Sequence, residues 1–389
     1  MHFFNYHQPT EILFGRKRLE EAGTVSHRFG RRCLLVTVPS FPEIEASIQF
    51  IKSILKDRGI KVEHFDKVIA NPTVDVVSSG ARMARELRAE FIIGFGGGSS
   101  MDTAKAIAVE ATHRGSCWDY LFFKKTQPTE KTLPIIAIPT TSGTGSHVTQ
   151  VAVVTNPLER NKSALFSAKL FPRVSLVDPE LVLTLPAYMT ALTGFDAFCH
   201  AFESFITPKC SPYTEILALE CLKLVFQYLP AAIRDGRDIE AREKMAWADT
   251  LAGLCIANSA VTLPHGIGMA LSGMYPQVAH GQALASVYPA IMRFTHKYAI
   301  DKFATAGRIL NPSLTAVSDE EAALRFCDDL ERFIESLGIK KSLKEIGVME
   351  SELHLLAEAS LVLPDYTNHP YVVSVNEVEK LLLESYESG

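Results

Sequence analysis

Asp196 and His200 stand four residues apart in an uninterrupted helical pattern, Gly194 to Phe205 (GFDAFCHAFESF). Residues at i and i+4 project from one helix face, a turn apart. A carboxylate and an imidazole so placed can hold one cation from a rigid element. The hard oxygen and borderline nitrogen together suit Fe(II) or Zn(II). An ion pair or a hydrogen-bonded core histidine fits the same spacing. Two later histidines extend the metal reading. His265 and His280 lie within Leu251 to Met292, a run without a single Asp, Glu, Lys or Arg. Imidazoles in such surroundings need partners. One oxygen and three nitrogens would leave a divalent ion net positive, able to bind an anionic oxygen. Satisfied core histidines are the competing account.

Two loops have the composition of phosphate sites. Phe91 to Lys105 (FIIGFGGGSSMDTAK) runs from an apolar strand through Gly96, Gly97 and Gly98 into a helix. The glycines leave room for close approach, and the helix start offers free N–H groups and the positive dipole end. Ser99 or Ser100 is the expected N-cap. The second loop, Pro139 to Thr149 (PTTSGTGSHVT), follows another apolar strand and is rich in hydroxyls. A loop at the carboxyl end of a strand is where an open α/β sheet binds its ligand. A tight turn and a hydrogen-bonded surface loop are the plainer readings.

The elements that must position these residues change character along the chain. Short apolar runs at 33–38, 62–65, 91–95, 133–138 and 174–177 alternate with helical stretches at 44–57 and 74–87. That rhythm predicts a parallel sheet covered by helices. From Pro186 onward only helical periodicity is found: 190–206, 214–234, 241–263, 303–310, 319–337 and 350–363. The expected fold is therefore an α/β nucleotide-binding domain (1–185) followed by an all-α metal and substrate domain (186–389).

Composition narrows the partners. The chain has 389 residues and a formal net charge of −5, which argues against nucleic acid or an anionic membrane as the main partner. Pro264, Pro276 and Pro289 interrupt the uncharged run, so it reads as core helices and not a membrane span. The start lacks a leader pattern, and the seven cysteines are scattered without a C-x-x-C, as expected of reduced thiols in the cytoplasm.

On GGGSSMDTAK (96–105), PTTSGTGSHVT (139–149), VDPEL (177–181), GFDAFCHAFESF (194–205) and the His265 and His280 segments, the chain resembles the iron-containing, or group III, alcohol dehydrogenases over its whole length. The resemblance implies NAD or NADP on the first domain, Fe(II) or alternatively Zn(II) on the second, and an active site between them. It puts Gly96, Gly97, Gly98 and Ser99 on the pyrophosphate, and Thr140, Thr141, Thr144 and Lys162 along the cofactor cleft. Asp102 falls on its nicotinamide side. Asp196, His200, His265 and His280 match the metal ligands, which act in catalysis through the metal. It also implies a homodimer or larger assembly.

Three positions depart from the family pattern. Met269 replaces a histidine one turn after His265 that is associated with proton movement. Val38 stands where an aspartate usually binds the adenosine ribose, and its neutrality removes a barrier to NADP. His147 replaces a glutamate in the second loop, and a plain loop histidine is the expectation. The implied activity is interconversion of a primary alcohol and its aldehyde by hydride transfer, with the metal as Lewis acid. Phe198, Leu254 and Met269 are candidate walls of the substrate pocket. A dehydroquinate synthase-like zinc lyase and a degenerate member with a structural metal are the alternatives.

Overall fold

The alternation of apolar runs and amphipathic stretches produces a parallel sheet in the computed structural model, which describes residues 3–387. The strands are β1 (Glu11–Phe14), β2 (Arg32–Val36), β3 (Lys61–Phe65), β4 (Phe91–Gly96), β5 (Ile135–Pro139), β6 (Val151–Asn156), β7 (Asn161–Phe166) and β8 (Val174–Val177). Six of them form one sheet in the order β1-β8-β5-β4-β2-β3, with every pairing parallel. The helices of this part are α1 (Ala22–Ser26), α2 (Pro42–Asp57), α3 (Val74–Leu87) and α4 (Gly98–Glu110).

Strand periodicity decides which helix covers which face. Cys33 and Leu35 of β2 pack with Phe91 and Ile93 of β4 against Ile48, Ile51 and Leu55 of α2. Leu34, Val36 and Ile92 face the opposite way, toward Val77 and Ala81 of α3 and Ala104 and Ile107 of α4. β2 and β4 are neighbours although β3 lies between them in sequence, so the strand order reverses there. That reversal opens a crevice at the carboxyl ends of the strands in such sheets.

Three strands were not expected from the sequence. β1 is a four-residue edge strand, only partly buried, and its run is too short to show a period. β6 and β7 form an antiparallel hairpin that stands apart from the main sheet.

The remainder is helical: α5 (Ala187–Ile206), α6 (Pro212–Arg234), α7 (Ile239–Asn258), α8 (Leu263–Met274), α9 (His280–Thr295), α10 (Ile300–Leu310), α11 (Asp319–Ser336), α12 (Leu353–Ser360) and α13 (Val375–Glu387). By contact the described chain divides into two compact units, one spanning 7–185 and the other 186–387 with residues 3–6. α5 is the core of the second unit. From Thr190 on it is buried almost all round, as expected of a helix apolar on every face. Phe195, Phe198 and Phe202 stack along it with ring centroids 5.6 Å apart. α6 is long and apolar enough to cross a membrane, but Ala218, Cys221, Leu222, Val225 and Leu229 are buried in this core.

The helix expected over 241–263 ends at Asn258, and α8 starts after a bend of 100°. Pro264 explains the break. In a continuous helix it would have no N–H for the Ala260 carbonyl and its ring would collide with that turn. At the start of α8 neither cost arises. α13 was not foreseen, and α12 is shorter than expected because Glu350–Glu352 forms a 3-10 turn.

Candidate metal centre and dinucleotide loops

α5 sets Asp196, His200 and Glu203 on one face at i, i+4 and i+7. α8 adds His265, and His280 is the first residue of α9. The four expected ligands gather around Asp196, three of them, Asp196, His265 and His280, as one compact group. Nε2 of His200, His265 and His280 lie 3.8, 3.6 and 3.9 Å from the same Asp196 oxygen, Oδ1. A tetrahedral site with ligands about 2.1 Å from its ion has edges of about 3.4 Å. Asp196, His265 and His280 each offer an atom within 4.8 Å of the other two, a group that could hold one cation, while His200 approaches Asp196 but stands outside that group. The separations from Asp196 Oδ1 are too long for hydrogen bonds. Asp196 Oδ1 and His265 Nε2 are both buried with no hydrogen-bond partner. Buried polar atoms are normally satisfied, and a shared cation would satisfy both. Gly268 makes room for the arrangement: a Cβ there would lie 3.1 Å from His280 Cε1. The His280 side chain is 24% exposed against 5% for Asp196 and His265, so it marks the open side of the cluster.

The electrostatics point the same way. Burial by itself would raise the Asp196 carboxyl, but the charges of His200, His280 and His265 hold it well below its ordinary range. Burial would lower the His265 imidazole, yet the carboxylates of Glu203 and Asp196 push it up to about 10. The cluster therefore demands a positive charge, which a proton or a metal ion can supply by competing for the same lone pairs.

The sequence reading missed Glu203. Its Oε1 lies 2.7 Å from His265 Nδ1, and Oε2 accepts from the Thr262 amide at 2.7 Å and the Thr262 hydroxyl at 3.0 Å. The only trace in the sequence is an acid seven residues after Asp196 in the same motif; its burial and its partners Thr262 and His265 are set by the fold.

In the sheet unit, register sets the two loops side by side. Gly96 ends β4 directly opposite Pro139, which ends β5, and the Thr140 amide donates to the Gly96 carbonyl at 3.0 Å. The N-cap of α4 is Gly97, so Ser99 and Ser100 lie inside the helix and neither caps it, contrary to expectation. Glycine suits this place because the threonine loop fills the space beside it. A Cβ on Gly98 would lie 2.7 Å from Thr144 Cγ2. The room left at Gly97 and Gly98 is thus taken by Thr141 and Thr144 of the neighbouring loop. Ser100 Oγ, Thr141 Oγ1 and Ser142 Oγ are buried without hydrogen-bond partners, the kind of polar atoms a phosphate or ribose oxygen would satisfy.

Asp102 and Lys162 are engaged within the protein. Asp102 accepts from the Ser146 hydroxyl at 2.6 Å and the Val153 amide at 3.0 Å. Burial raises its carboxyl despite the nearby Lys105. Lys162, on β7, donates to Asn71 Oδ1 at 2.9 Å. Thr140 and Thr141 stand half-buried at the loop's start, and Thr144 Oγ1 accepts from the Ser146 amide at 3.3 Å. Val38 is half-buried just past the end of β2. His147 has no exposed surface, and burial pushes its imidazole down to about 3, so it is a neutral interior group. Of the candidate pocket walls, Phe198 belongs to the aromatic core, while Leu254 and Met269 are buried outside that core cluster.

Comparison with known proteins agrees with this architecture. Residues 9–179 match the family described as iron-containing alcohol dehydrogenase, and residues 190–386 match the C-terminal family of the Fe-containing alcohol dehydrogenases. The chain belongs to the iron-containing alcohol dehydrogenases, oxidoreductases of alcohols and aldehydes, and the lyase reading falls away. An NAD-dependent methanol dehydrogenase of Bacillus methanolicus is 31% identical over 97% of this chain and 98% of its own. A choline dehydrogenase of Bacillus subtilis is 34% identical over 95% and 91%. The solved structure of an archaeal halo-thermophilic alcohol dehydrogenase from a Red Sea brine pool superposes with a TM-score of 0.94 at 35% identity, covering 99% of both chains.

Proposed function

We propose that the protein interconverts a primary alcohol and its aldehyde using NAD or NADP, with Fe(II) held by Asp196, His200, His265 and His280. The observation that carries this reading is the convergence of three imidazole nitrogens on one orphaned carboxylate oxygen. Bound there, the ion would supply a Lewis acid for the alcohol or carbonyl oxygen. Zn(II) accepts the same donors, and the choice of iron rests on the family.

The remaining work falls to the chain. Asp196 and the imidazoles fix the donor geometry, and the apolar helices around them keep water scarce. The dinucleotide pyrophosphate would rest on the start of α4, beside Gly96, Gly97, Gly98 and Ser99, with Thr140, Thr141 and Thr144 on the adjoining loop. Asp102 and Lys162 would act on the cofactor by shaping its surroundings, through Ser146, Val153 and Asn71. Val38 leaves the end of β2 neutral, so a 2′-phosphate meets no carboxylate at that position. Met269 carries no exchangeable proton, so the alcohol proton leaves through water or the cofactor ribose. Leu254 and Met269 would favour a small or medium apolar substrate. A homodimer or larger assembly in the cytoplasm belongs to the same reading, which the seven free thiols suit.

The test is anaerobic purification with Fe(II) or Zn(II), metal analysis, and NADH and NADPH oxidation against short aldehydes. Turnover that disappears on chelation and in His265→Ala is the expected result. Protein that binds no metal would end the four-ligand reading.

A further inference from the structure

We propose that Glu203 is a positioning residue of the metal centre, fixing the tautomer of His265 with one oxygen and bracing the α7–α8 corner with the other. The proposal rests on the four-ligand reading and extends it to a residue outside the ligand set.

α8 has a helix start of unusual construction. Its N-cap, Thr262, makes no side-chain cap to its own helix. In a capping box the N3 residue is a glutamate or glutamine that reaches back to the N-cap amide. Here the N3 position is His265, a metal-ligand candidate, and the carboxylate comes from α5 instead. Glu203 Oε2 takes the Thr262 amide and hydroxyl, while Oε1 sits 2.7 Å from His265 Nδ1. One buried side chain thus performs the capping contact and grips the residue that displaced it.

The corner has further ties to the same stretch of α5. Ser204 Oγ donates to the Ala260 carbonyl and Ser259 Oγ to the Ser204 carbonyl, each at 3.3 Å. Glu203 differs from these because only it touches a ligand. With Nδ1 donating its proton to Oε1, the lone pair of His265 lies on Nε2, the atom 3.6 Å from Asp196 Oδ1. A carboxylate behind an imidazole also makes it a stronger donor, and losing such a partner typically costs about 10- to 100-fold in metal affinity. Glu203 has no exposed surface, and its Oε2 meets the start of α8, the positive end of that helix's dipole.

The experiment titrates Co(II) and Zn(II) into apo wild type, Glu203→Gln and Thr262→Val in competition with a chromophoric chelator, and records the Co(II) d–d spectrum. Glu203→Gln should lose about 10- to 100-fold in affinity with an altered spectrum. Thr262→Val keeps the His265 contact and should stay within about threefold, with the wild-type spectrum. Equal affinity and spectrum in Glu203→Gln, or equal losses in both variants, would overturn the proposal. Failure of the wild type to bind either ion would instead refute the metal site itself. If Glu203→Gln does not fold, the wild type still decides. In its Co(II) form, hydrogen exchange at the hyperfine-shifted Nδ1 proton of His265 should be the slowest among the ligand imidazoles. Exchange no slower than that of the other ligand imidazoles would refute the buried Glu203 contact.

Discussion

Lys105 Nζ, with no exposed surface, donates to the carbonyl oxygen of Val151 at 2.7 Å. The same ammonium also reaches the carbonyls of Ser146 at 2.7 Å and Thr149 at 3.0 Å, and the Ser146 hydroxyl at 2.9 Å. Its nearest carboxylate, Asp102, is 3.9 Å away. Burial draws the amine down to about 8, with Asp102 opposing. A single side chain of α4 therefore ties the end of the threonine loop to the helix whose first turn would receive the pyrophosphate. The two surfaces of the proposed cofactor site are thus joined through one buried side chain.

Replacing Lys105 with Met should strip three carbonyls of a donor and take the nearest ammonium away from Asp102. Breaking a buried charged network by removing one partner costs about 3–5 kcal/mol. The denaturation midpoint should fall accordingly, and KM for the dinucleotide should rise more than kcat falls. Bound metal should not change. A variant as stable as the parent would show that the clamp contributes nothing.

Much of this was legible from the sequence, for identifiable reasons. β4, β5 and α5 were visible because a strand buried on both faces is a continuous apolar run and a central helix is apolar all round. Asp196 and His200 were visible because helical spacing is local. Glu203 and Lys105 were not, and neither were the contacts of Asp102, itself expected beside the cofactor, because these are set by partners 62, 46 and 51 residues away. Nothing in one sequence announces such distances. β6 and β7 were hidden because each is half-buried and gains its place only by pairing with the other. The end of α7 was misjudged because the apolar pattern continues through Pro264, and there the proline was the better signal.

Gly98→Ala tests how closely the two loops approach. The new methyl would sit 2.7 Å from Thr144 Cγ2, which no relaxed structure tolerates. Either the threonine loop or the start of α4 must shift, and a loss of about tenfold or more in cofactor affinity is the expected result. Adding Thr144→Ser removes that Cγ2 and should recover part of the affinity. A single variant that binds the dinucleotide as the parent does would mean the loops separate without cost.

Acid should destabilise the protein through two buried histidines. His147 is pushed down to about 3, chiefly by burial and further by Lys105, and His369 to about 4 by burial, from an ordinary value of 6.5. His369 Nε2 pairs with the Thr295 hydroxyl at 2.8 Å and its Nδ1 has no hydrogen-bond partner, and the Glu203 carboxylate only partly opposes the effect of burial. Below pH 6.5 the unfolded chain takes up protons that the native state refuses. Stability is therefore complete above that pH and is lost as the pH falls toward 4, by about 3 kcal/mol for each group. Asp365, which burial raises to about 7, opposes this loss by taking up its proton in the native state as the pH falls. The histidine contribution to any decline in the denaturation midpoint is therefore read against a variant, with chelator present so that metal release adds nothing. His369→Gln keeps a partner for Thr295 but cannot titrate, so its decline should be shallower by about one proton. An unchanged slope in that variant would mean the His369 imidazole is protonated in the native state, against the burial that surrounds it.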